Sequence, residues 1–87
     1  MHNIRKLLES EILTTNERIL WNRKGFGITH YALIRANGNI ETEDGVSHKS
    51  PSGAARHLNK GKPVDGWLVW RLERTGQSLS ELRYIEK

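Results

Sequence analysis

Apolar residues recur at two different periods along this chain. Near the start, Ile4, Leu7, Leu8 and Ile12 fall at helical spacing, which gathers their side chains on one face. Asn3 stands where an N-cap belongs, while Arg5, Lys6, Glu9 and Glu11 fall on the outward face. The following stretch, TTNERILWNRKGFG, fits two descriptions. Thr14 and Glu17 have capping-box spacing, whereas Ile19, Leu20 and Trp21 suit a short buried strand. A strand is the expectation, and helix or strand stays open for residues 15–22. From Ile28 the period becomes two: THYALIRA, Asn37-Gly38, NIETE, Asp44-Gly45 and VSHK. Asn-Gly and Asp-Gly supply the positive φ angles that tight hairpins require, so this segment predicts a three-stranded antiparallel meander.

Beyond the meander, SPSGAARHLN predicts a short helix with Ser50 as N-cap and Pro51 at the first helical position. Ala54, Ala55 and Leu58 form its inner face, and Asn59 and Gly61 end it. GWLVWRLE then alternates as a strand does, with Leu68, Trp70 and Leu72 towards the core and Trp67, Val69 and Arg71 on the other face. A Thr75-Gly76 turn and a Ser78/Glu81 capping box lead into a closing helical turn. These elements predict one α+β domain over residues 1–87: an N-terminal helix, an antiparallel meander, a serine-capped helix, a further Trp-rich strand in the sheet and a C-terminal helical turn.

Eighty-seven residues with 36% hydrophobic composition support one modest core. The chain has no cysteine, which excludes disulfides and thiolate zinc sites as its staples. No apolar run approaches the ~18 residues of a membrane span, and MHNIRKLLES lacks a signal peptide's apolar centre, so a cytoplasmic protein is expected, nucleoid-associated if the source is bacterial. The net charge of +4 is uneven: residues 1–44 hold six Lys/Arg and six Asp/Glu, and residues 45–87 hold eight and four. A cationic second half suits an anionic partner.

Candidate chemistry lies in the same half. A helix start offers unsatisfied amides to an anion, and here Ser50 and Ser52 add hydroxyls, Lys49 a charge and Gly53 room for close approach. The same residues are also ordinary capping chemistry. Trp67, on the mixed face beside Arg71, is either a cover for a small helix or a stacking surface for a nucleobase. Catalysis is not expected. His2, His30, His48 and His57 show no zinc-motif spacing, and Glu41, Glu43 and Asp44 cluster along a turn, as a solvated acidic edge would. His30 and His48 are placed to face one another across the meander. No cofactor or metal is implied.

Taken in order, NGNIETEDG, SPSGAARHL, DGWLVWRLE and SLSELR resemble the RAMA domain, a module associated with restriction enzymes and adenine methylases. Ala32, Asn37 to Gly45, Ser50 to Ala55, Gly66 to Trp70 and Leu79 to Arg83 occupy the matching places, and LLESEILTTNERIL is similar to the family's leading helix and strand. Gly53 departs from a more usual alanine, and Asp65 from a frequent asparagine. The resemblance implies DNA binding beside methyltransferase or nuclease modules, with sensing of modified bases such as N6-methyladenine. Ser50, Ser52, Trp67 and Arg83 match the positions that look most like DNA contacts. With Lys49, Arg56 and Arg71 they form the expected DNA surface. The alternative is an adaptor that docks on a restriction, modification or defence protein through the Trp67 face. An aspartate at position 65 would repel DNA approaching that corner.

Overall fold

The computed structural model describes residues 3–85. Helix α1 (Ile4–Glu9) is capped as its sequence predicts, the Asn3 side chain accepting the Lys6 N–H at 2.9 Å. Strands β1 (Glu17–Arg23), β2 (Ile28–Ile34), β3 (Ile40–Thr42) and β4 (Ser47–His48) follow, then α2 (Pro51–Leu58), α3 (Gly66–Val69), β5 (Arg71–Leu72) and α4 (Leu79–Ile85). The five strands form one antiparallel sheet in the order β4-β3-β2-β1-β5. Gly38 (φ +87°) and Gly45 (φ +83°) occupy the two hairpin turns in the left-handed region that their sequences predict.

Residues 17–23 are strand. Thr14 and Glu17 do make the capping-box contact, with the Thr14 Oγ1–H donating to Glu17 Oε1 at 3.1 Å, but the chain turns into β1 instead of a helix. Glu17 is buried at 7% exposure, and Arg74 Nε, 2.9 Å away, supplies its counter-charge. Alternation along the strands sends Ile19, Ala32, Ile34, Ile40 and Leu72 to the covered face. There they join Leu7, Ala54, Trp70, Leu79 and Leu82 from the helical side in one core. Each fully buried Leu or Ile contributes about 1.5–3 kcal/mol, and this packing takes the place of the missing disulfides.

Segment 66–72 departs from the expected strand. Only Arg71 and Leu72 pair with β1; Gly66–Val69 forms a helical turn. Asp65 accepts the Trp67 N–H at 3.1 Å, capping that turn. The helical turn points Leu68 outward at 58% exposure, so Leu68 is not a core residue, while Trp70, extended just past the turn, is fully buried as expected. Strand alternation therefore does not set the direction of Trp67. A second correction concerns the histidines. His30 lies opposite Trp21 across the β1–β2 ladder with ring centroids 5.3 Å apart, while His48 packs on His57 at 4.7 Å. The expected His30–His48 pair does not form, because β3 stands between their strands. His2 lies outside the described residues.

Candidate nucleic-acid interface

The start of α2 and the start of α3 are joined backbone to backbone. Ser50 is extended and accepts the Gly53 N–H through Oγ at 3.0 Å; its carbonyl accepts the Ala54 N–H. Ser52 Oγ accepts the Gly66 N–H at 3.0 Å, and the buried Trp70 Nε1–H donates to the Pro51 carbonyl at 3.1 Å. Gly66 admits no side chain: a Cβ there would lie 2.1 Å from Pro51 C and 2.4 Å from Ser52 N. Both serine oxygens thus accept bonds from the protein's own amides, and each keeps a hydroxyl proton to donate elsewhere.

This joint fixes Trp67 beside the α2 start. The indole is half-buried against the core and lines a groove of ≈ 510 Å³ whose walls also include Arg5, Asn37, Asn39, Lys49, Ser50 and Arg83. The Arg83 guanidinium lies 4.2 Å from the Trp67 ring centroid, within cation–π range. Arg5 runs alongside the β2–β3 turn, so close that a Cβ on Gly38 would stand 2.5 Å from Arg5 Cγ. Among the described residues, Arg5, Lys49 and Arg83 have no carboxylate partner, whereas Arg18, Arg35, Arg71 and Arg74 all do. Among the described residues no carboxylate lines the groove. Asp65 spends its side chain on the α3 cap and is not part of the wall. A concavity on the outer face of the sheet differs in kind, since Glu41 and Glu43 stand there beside Arg18 and Tyr31 and would oppose a polyanion.

Of the seven residues expected from sequence, Lys49, Ser50, Trp67 and Arg83 converge on the groove. Ser52 and Arg56 line an adjoining depression that shares Ser50, with Arg56 Nε donating to the Gly61 carbonyl at 2.8 Å. Arg71 stands apart on β5, held by the Gly76 carbonyl at 2.8 Å and Glu81 at 3.8 Å. Sequence reasoning missed Arg5 and the asparagines of the 37–39 turn. Arg5 looks like any outward residue of an amphipathic helix, and Asn37-Gly38 announces a turn without saying what the turn will meet.

The histidine cluster lies at the other end of α2. His57 Nε2 donates to Asp44 Oδ2 at 2.6 Å, and the Thr42 hydroxyl donates to the other Asp44 oxygen. These two bonds, His57's the larger, hold the Asp44 carboxyl well below the usual carboxylate range. Burial lowers His48, assisted by neighbouring His57 and opposed by Asp44. Burial also lowers His30, assisted by Arg23 and opposed by Glu43. Among the described residues no group of three or more His, Cys, Asp or Glu is arranged to hold a metal ion, and no helix is long and apolar enough to cross a membrane.

A serine-capped helix wedged against a Gly-Trp turn beside a cationic groove, on a five-stranded antiparallel sheet, defines a small α+β module. The chain belongs to the RAMA family, Restriction Enzyme Adenine Methylase Associated, which it matches over residues 2–85. No curated protein matches the sequence.

Proposed function

We propose that this chain is a DNA-binding module of a restriction–modification system, acting in the cytoplasm beside a methyltransferase or nuclease and sensing adenine methylation. It carries out no catalysis itself. One observation carries the reading: the groove gathers Arg5, Lys49 and Arg83, none neutralised by a carboxylate among the described residues, around the indole of Trp67. Cations without counter-charges gain most from phosphate, because binding releases the counterions condensed on DNA. Phosphate contacts position the module, and base selectivity falls to Trp67 and the asparagine turn. Ser50 contributes a hydroxyl donor at the rim, and Ser52 with Arg56 extends the surface along α2.

The test is a titration of labelled DNA, unmodified and adenine-methylated, at several salt concentrations. Three phosphate contacts give a log–log salt slope of about −2 to −3. The double variant Arg5→Ala/Lys49→Ala flattens it by roughly two, whereas Arg18→Ala, which removes a cation already paired with Glu73, leaves it unchanged. Absence of DNA binding at ~50 mM salt would refute the reading. One observation favours an adaptor instead: Leu68 is 58% exposed on the same helical turn as Trp67, as an apolar hot spot would be. Salt-insensitive capture of a methyltransferase without any DNA shift would support it.

A further inference from the structure

Granted the DNA-binding reading on which it rests, we propose that the groove takes an unpaired nucleotide, either in a single strand or turned out of a duplex. Its base lies against the Trp67–Arg83 stack, and its flanking phosphates lie on Arg5 and Lys49. In a duplex both faces of every base are covered by neighbours, so an indole and a guanidinium plane can stack only on a base that has left the helix. Trp67 cannot advance to meet a duplex. Gly66 is wedged on the Pro51–Ser52 backbone and Asp65 caps the Trp67 amide, so the indole stays in a concave wall.

The size of the groove agrees. At ≈ 510 Å³ it falls within the range of about 300–1,000 Å³ typical of small-molecule sites, which suits a nucleotide, whereas a convex duplex would touch only the rim. The wall also offers polar groups to a base edge. Asn37 Oδ1 accepts the Asn39 N–H at 3.0 Å, and Asn39 Nδ2 donates to Ser47 Oγ at 3.0 Å. Among the described residues this leaves the Asn37 side-chain amide donor Nδ2 and the Asn39 side-chain acceptor Oδ1 uncommitted. A donor and an acceptor together match the Watson–Crick edge that an unpaired base presents.

Fluorescence anisotropy at ~50 mM salt with three probes tests this: a single strand of about 12 nucleotides, its perfect duplex, and the duplex carrying one bulged adenine. The single strand and the bulged duplex bind about tenfold or more tighter than the perfect duplex, in line with the strength of one stacked base. Arg83→Ala narrows that ratio to within about threefold. Trp67→Ala does the same in protein whose far-UV circular dichroism is unchanged; because Trp67 touches the core, the comparison of probes on the unaltered protein stands independently of that variant. A perfect duplex bound as tightly as the single strand and the bulge overturns the inference and leaves DNA binding intact. No binding to any probe overturns both.

Discussion

Gly66→Ala tests the joint on which the groove depends. The added methyl would meet Pro51 C at 2.1 Å, Pro51 O at 2.2 Å and Ser52 N at 2.4 Å. All three are backbone atoms that cannot swing aside, so α3 must move away from α2 by about an ångström or more to restore ordinary contact. That movement stretches the Ser52–Gly66 bond, now 3.0 Å, and the Trp70–Pro51 bond, now 3.1 Å, past useful range. Overpacking costs about 1–3 kcal/mol, and a buried indole N–H left without an acceptor costs a further ~1–3 kcal/mol. A total of roughly 2–6 kcal/mol is a large share of the about 4–13 kcal/mol expected for 87 residues. Thermal melts followed by circular dichroism should show Tm lowered by at least ~8 °C. Gly25→Ala is the control, since its Cβ meets nothing within 4 Å and its φ is not positive; it should change stability by less than about 1 kcal/mol. A Gly66→Ala protein melting within ~4 °C of Gly25→Ala would refute the reasoning.

Two further outcomes follow from neighbouring contacts. Trp70→Phe removes the donor to the buried Pro51 carbonyl and leaves a small void, so urea unfolding should report a loss of about 2–4 kcal/mol. Acid should weaken the fold in two windows. His30 and His48 have lowered pKa values, chiefly through burial. Above about pH 6.5 neither the folded nor the unfolded histidine is protonated, and below it the unfolded chain takes up protons first, so stability falls with pH. The lowered Asp44 carboxyl adds a second loss below about pH 4, where the unfolded aspartate protonates first. Urea midpoints from pH 8 to pH 3 would display both steps, and His30→Leu should diminish the first. A flat profile between pH 8 and pH 5 would contradict the histidine account.

Local pattern carried much of this fold. The start of helix α1, the two glycine hairpins, the Ser50–Pro51 helix start and the Ser78/Glu81 box, in which Ser78 Oγ accepts the Glu81 N–H at 3.2 Å, all appear as their residues predict, although α1 ends at Glu9, before Ile12. The period of the apolar positions and the chemistry of the caps act within a few residues, and a few residues are what a sequence displays directly. Where two local patterns competed, the outcome was less legible. GWLV alternates like a strand, yet Asp65 is equally an N-cap, and the helical turn prevails because it alone lets Gly66 sit on Pro51–Ser52 while Trp70 reaches the Pro51 carbonyl.

The candidate site divides in the same way. Lys49, Ser50, Trp67 and Arg83 could be named from the chain as chemically suited to DNA, but their convergence, the addition of Arg5 and the separation of Arg71 are products of tertiary packing. Sequence alone determined the caps at Asn3, Ser50 and Ser78, the two glycine turns and the alternation of the meander, and that the second half is basic. Only the folded molecule decided which serine oxygens its own amides occupy and which cations, among the described residues, pair with no carboxylate. Those properties depend on distances between residues remote in the chain, and such distances are set by how α1, α2, α3, α4 and the 37–39 turn pack against one another.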